Sequence, residues 1–249
     1  MEIVESEVRA RRLARRIRKV PDLAMRAGYL RNMLAEMQPA DVAEVFVLSV
    51  NGAEARDPDH GDLLQCISLA LADDACEGLR DAVRAQLVAG DQTAIAALLT
   101  PPSDVADEDA ALQVPDFGAG RPVTLGERKS LARRRDRDLI ARVLRDPHPD
   151  VIRIVLLNPT VTENDVLRLS ARRPVRAEVL REVFRSPRWI VRYPIKLAIT
   201  LNPYAPLDVR LQLMPHLTSP DAERVLMGAN LPAALESACR RMVERGHLH

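Results

Sequence analysis

Arginine supplies most of the chemistry this sequence can offer. Of its 36 basic side chains only Lys19, Lys129 and Lys196 are lysines. Nearly every cation is therefore a planar guanidinium fork, suited to a carboxylate or a phosphate. A net charge of +1 conceals how unevenly these forks are spread. From Arg121 to His249 there are 24 basic and 14 acidic side chains; residues 20–120 carry 5 and 18, and the first 19 residues contribute +4. The charge layout has three readings. The acidic N-terminal part can dock on the basic C-terminal part, within one chain or between two copies. An acidic protein partner can be received there, or nucleic acid or another polyanion, since phosphate neutralisation needs no sequence motif. Against nucleic acid stands the lack of Gly-Lys loops, stacking aromatics and a recognition-helix signature. The candidate contacts for a partner are Arg134, Arg135, Arg153, Arg172, Arg173, Arg176 and Arg192.

Other chemistry finds little footing. The chain has no His-Glu-x-x-His, no Gly-x-Ser-x-Gly and no Gly-x-x-x-x-Gly-Lys. His148, His216, His247 and His249 lie apart, and Asp136 and Asp138 stand among arginines that are expected to pair with them. Asp57-Pro58-Asp59-His60-Gly61 gathers potential metal ligands, but turn chemistry accounts for each of them. Cys66, Cys76 and Cys239 show no paired ligand spacing and cannot form a full disulfide set. The expectation is a protein without catalytic centre, cofactor or metal.

The arginines must be positioned by a phrase that the C-terminal half contains twice. Asp146-Pro147 precedes an apolar stretch from Val151 to Leu157, then Asn158-Pro159, then Thr162 to Leu169. Ser186-Pro187 precedes Trp189 to Leu201, then Asn202-Pro203, then Pro206 to Leu213. The Asn-Pro steps are about 44 residues apart, a period of paired-helix repeats. Proline ends a helix and extends the residue before it, so each Asn-Pro predicts a break. Thr162 with Asp165 has capping-box spacing, and Pro206 with Asp208 suits a first helical turn. Val166, Leu169 and Ser170 share a face, as do Val209, Leu213 and Leu217. Pro174, Pro187, Pro215, Pro220 and Pro232 cut the remainder into helices too short to stand alone.

This phrase resembles the leucine-rich-repeat-variant and HEAT-like solenoids of bacteria over roughly Asp138 to Leu217. The resemblance implies a curved stack of short helices. Two departures are visible: the repeat is irregular, with an extra turn's worth of residues between Pro187 and Pro203, and the cysteine cluster of a characterised member is missing, so no cluster function carries over.

The expected architecture is all-α, an irregular α-solenoid preceded by a smaller helical domain. Residues 1–100 form the N-terminal helical domain, 101–124 an acidic proline-containing linker, and 125–249 the HEAT-like repeat domain. Glu2 to Val20 reads as an amphipathic helix with Ile3, Ala10, Leu13, Ala14 and Ile17 on one stripe. Its arginines form either a solvated face or a surface for anionic lipid or a partner groove. Leu23 to Met37 and a helix opening at Pro39 follow, the latter closed by Asn51-Gly52. Asp62 to Leu71, Ala75 to Ala89 and Gln92 to Leu99 complete that group. Gly126 to Arg145 reads as one helix, and Ala222 to Val243 as two, interrupted at Leu231-Pro232. Trp189 is expected to plug a core. No apolar run approaches a membrane span, and no apolar signal core opens the chain, so a cytoplasmic protein is expected. On this reading it is a non-enzymatic scaffold or adaptor gripping an acidic protein, with nucleic-acid binding as the alternative.

Overall fold

The computed structural model describes residues 2–101, 113–118 and 120–246, the first four by backbone alone. All regular structure among them is helical. The chain forms two compact units, Met1–Pro102 with Arg210–His249, and Ser103–Val209. Half of the expected linker, including Asp104, Asp107, Glu108 and Asp109, lies outside the described residues, as do His247 and His249.

The first unit opens with α1 (Glu2–Arg18). Ala10, Leu13, Ala14 and Ile17 recur at helical spacing and are all buried, against α3 and α4 described next. Helix α2 (Leu23–Ala35) starts where the Asp22 carboxylate accepts the Met25 amide. Helices α3 (Pro39–Glu54) and α4 (Pro58–Leu71) pack on each other and carry Phe46, Leu63, Leu64 and Ile67 into the core. The stretch read as a turn at Asp57–Gly61 is the start of α4: Asp57 caps it by accepting the amides of Asp59 and His60. Nor does Asn51-Gly52 end α3. A Cβ on Gly52 would lie 2.3 Å from the His60 ring, so this glycine makes room for a buried histidine. Arg56 (φ 65°) makes the left-handed turn instead. Helices α5 (Glu77–Ala89) and α6 (Thr93–Ala96) follow.

The second unit begins with α7 (Leu125–Leu131), opened by a complete capping box between Thr124 and Glu127. Then come α8 (Arg137–Val143), α9 (Pro149–Leu156), α10 (Glu163–Ala171), α11 (Ala177–Phe184), α12 (Pro187–Ile190), α13 (Tyr193–Leu201) and the start of α14 (Leu207–Leu213). Helix α9 packs on α7, α8 and α11, while α10 packs on α11 and α13. Both Asn-Pro steps break the chain as expected, after α9 and α13. The Thr162–Asp165 box is formed. The stretch 126–145 is two helices, not one, and Trp189 to Leu201 is divided between α12 and α13. Asp136 is a helix cap, accepting the amides of Asp138 and Leu139, where an ion pair was expected.

The two Asn-Pro steps do more than interrupt. Asn158 Nδ2 donates to the carbonyls of Ala132 (2.9 Å) and Arg134 (2.8 Å), while its Oδ1 accepts from the Thr160 amide. Asn202 Nδ2 donates to Ser170 (2.8 Å) and Arg172 (2.9 Å), and its Oδ1 accepts from Tyr204. Each buried asparagine thus clasps the end of an earlier helix, α7 or α10, and satisfies carbonyls the helix leaves without partners.

Helices α15 (Ser219–Leu226) and α16 (Ala233–Gly246) belong to the first unit. The reading that ran the repeat domain to residue 249 differs here. The Glu54 carboxylate, its side chain 2% exposed, takes Arg241 and Arg245 of α16. Arg245 also reaches Asn51 Oδ1 (3.0 Å), and Arg56 donates to the carbonyls of His216 and Leu217. Long-range pairs such as these leave no local pattern.

Replacing Asn202 by Ala leaves two carbonyls unpaired and is expected to cost about 2–4 kcal/mol in urea unfolding. Asn202→Asp costs more at neutral pH, because a carboxylate then faces both carbonyl oxygens. Either variant unfolding like the parent would dismiss the clasp as a stabilising element.

Candidate functional site

Most of the second unit's arginines turn inward upon the protein's own acceptors. Arg137 forks onto Asp165 (2.5 and 2.7 Å), and Arg181 onto Asp208 (2.5 and 3.0 Å). Arg128 Nη1 reaches both oxygens of the buried Asp146 (2.7 and 2.9 Å). Arg188 donates to the carbonyls of Asn158 (3.1 Å) and Val161 (3.3 Å), and its guanidinium lies 4.3 Å from the centre of the Trp189 ring. Trp189 itself is buried, as expected, and its indole N–H caps the Leu156 carbonyl at 2.8 Å.

The seven candidate contacts divide accordingly. Arg172 donates to the Arg145 carbonyl (3.0 Å) and Arg173 to the Leu201 carbonyl (2.8 Å), each serving a helix end. Arg153 pairs with Asp150 (2.9 Å), Arg176 with Glu178 (3.5 Å) and Arg192 with Glu163 (3.7 Å). Arg134 and Arg135 are exposed and meet no side-chain partner among the described residues. They lie in the turn between α7 and α8, where Asn158 holds the backbone by the Ala132 and Arg134 carbonyls. Arg142 of α8 and Arg168 of α10 are likewise exposed without a described partner, and were not nominated. A signal for Arg168 was present: helical spacing turns it away from the buried Val166, Leu169 and Ser170 face.

A second charged cluster joins α7, α9 and α11. Lys129 Nζ meets Asp150 at 2.6 Å, and Asp150 also holds Arg153. Lys129 first, then Arg153 and His148, draw the Asp150 carboxyl below its usual range. Glu182 faces this cluster from α11: burial pushes its carboxyl up, and nearby Arg153 and Arg185 only partly offset that. Burial first, and then the neighbouring Arg145, draw the Arg172 guanidinium below the ordinary arginine value.

Nothing nucleophilic or metal-binding assembles among the described residues. The three thiols are buried, and burial pushes Cys66 up to about 12 and Cys239 up to about 11, so neither supplies a thiolate near neutral pH. No group of three His, Cys, Asp or Glu side chains converges among the described residues. In the Asp57–His60 stretch, Asp57 caps α4 and lies 3.3 Å from His60 Nδ1, His60 packs on Gly52, and Asp59 turns away to pair with Arg18. A cavity of about 510 Å3 in the first unit is lined by apolar side chains such as Ala43, Val47, Leu48 and Leu87, with Ser6, Glu44, Gln86 and Gln92 as its polar lining. No helix among the described residues is long and apolar enough to cross a membrane.

Two carboxylates should respond to pH in opposite directions. Burial raises Asp165, but Arg137, Thr162 and the Thr162 amide outweigh it and hold the group at about 2. A lowered folded value stabilises above the ordinary 3.8, and that stability is lost as pH falls from about 4 toward about 2. Asp165→Asn should abolish this acid-dependent loss in thermal unfolding. Glu182, raised, favours the fold only while protonated. Glu182→Gln is expected to raise the melting temperature at pH about 7, with the gain vanishing below about 4. No protein family, curated protein or solved structure matches this chain.

Proposed function

We propose that the protein is a non-enzymatic scaffold whose second unit is a HEAT-like helical repeat binding an acidic protein partner. The repeat reading is supported by the two equivalent asparagine clasps, 44 positions apart, each joining an Asn-Pro step to an earlier helix end. The partner reading is carried by one observation: Arg134 and Arg135 project, unpaired among the described residues, from a turn whose backbone is pinned on its inner side. A cation presented on a fixed backbone loses little freedom on binding, which favours affinity without a large apolar patch. Arg142 of the next helix is likewise exposed and unpaired among the described residues. The cytoplasm suits three free thiols, and no cofactor enters the proposal.

The test is a capture experiment with the full chain at about 50 and about 300 mM salt, comparing the parent with the Arg134→Glu/Arg135→Glu variant. An acidic protein should be retained at low salt, with at least about tenfold weaker binding to the variant. Nuclease treatment should leave the capture unchanged. Equal retention by both proteins, or retention that nuclease abolishes, would reject this surface as a protein-binding one.

A further inference from the structure

The arginines of α1 sort into two sets. Those along its flanks are paired: Arg9 with Asp41, Arg11 with Glu7 (2.7 Å), and Arg18 with Asp59 and Asp62. Arg12, Arg15, Arg16 and Lys19 are exposed and meet no partner among the described residues. Their spacing, i, i+3, i+4 and i+7, sets them on one stripe opposite the buried Ala10, Leu13, Ala14 and Ile17. With Val8, 60% exposed, and Arg11 they line a trough of about 500 Å3 along the helix.

Four unpaired cations within about 10 Å of helix rise describe a linear ligand better than a globular one. The stripe lacks the aromatic anchors and apolar centre by which proteins hold one another. Insertion into a membrane would use an apolar face, and that face of α1 is already spent on α3 and α4. A single strand would ask for stacking aromatics, and α1 contains none. What matches is a double-helical phosphate backbone, which offers a charge about every 1.7 Å of axis and asks only for cations in line. Arginine forks engage such phosphates two oxygens at a time.

We infer that the outer stripe of α1, Arg12, Arg15 and Arg16, continued by Lys19 just past its end, is a sequence-independent contact for the phosphate backbone of duplex nucleic acid. This surface lies in the first unit and does not rest on the partner reading of the second. Within that unit, residues 20–102 carry 13 acidic against 5 basic side chains, which repel the same ligand there.

Fluorescence anisotropy of a labelled duplex of about 20 base pairs, titrated with the full chain between about 50 and 200 mM salt, reads the inference directly. Two unrelated sequences should bind alike, with a salt slope of about 3 to 4 for four neutralised phosphates. Combined substitution of Arg12, Arg15, Arg16 and Lys19 by Gln should weaken binding at least about tenfold and remove most of that slope. Arg12→Gln and Arg16→Gln singly should each lower it by about 0.9, a readout that survives if the combined variant folds poorly. Arg134→Glu/Arg135→Glu should retain most of the slope, so failure here and failure of the protein-partner reading are told apart. The inference is overturned if the duplex does not bind at about 50 mM salt, if the Gln variants bind as the parent does, or if phosphatidylserine vesicles or polyglutamate bind α1 in preference to the duplex.

Discussion

An α-helix leaves its last four carbonyls without intrahelical partners, and in the second unit this shortage governs nearly everything else. Its helices run from four to nine residues, so orphan carbonyls form a large share of the backbone. Water can serve those at the surface, but those facing a neighbouring helix need a donor supplied by the protein. Asn158 and Asn202 provide two each. Arg133, Arg137, Arg172, Arg173 and Arg188, with the indole of Trp189, provide others. Arginine suits the task because its donors spread over a plane wide enough to reach two carbonyls from one side chain, as Arg188 does. Arginine abundance in this half is therefore in large part an answer to short helices.

The same economy shapes the acids. Asp165 and Asp208 sit in the first turns of α10 and α14, where the helix dipole welcomes a negative charge. Each then anchors an arginine from an earlier helix, 28 and 27 residues back. One carboxylate thereby ties a helix start to an element two or more helices away. The apolar contribution is of the ordinary kind, aliphatic side chains such as Ile140, Val155, Leu180 and Ile199 buried at helical spacing.

Much of this was readable beforehand, and the unread remainder has a common physical cause. Proline and capping chemistry act within a few residues, so the breaks after α9 and α13 and the Thr162–Asp165 box were visible in the letters alone. The break between α7 and α8 was not, because no proline or glycine marks it; Asp136 caps α8, and the turn is held by Asn158 from more than twenty residues away. The grouping of α16 with α3 was hidden for the same reason, since Glu54 and Arg241 are 187 positions apart. The arginine surface was half legible. Charge counting located the excess, but it could not tell a guanidinium occupied by a carbonyl, as in Arg173, from one left outward, as in Arg134.

The asparagine clasps grip main chain, not side chain: the acceptors are the carbonyls of Ala132, Arg134, Ser170 and Arg172. An amino acid held by its peptide oxygen leaves its own letter almost unconstrained by that bond. A lineage could re-spell the outer positions of these turns, exchanging Arg134 for any residue that tolerates the bend, while the frame beneath stayed intact. Grip and display are thus assigned to different atoms of the same residue, and drift in what the surface displays need not trouble the architecture that carries it.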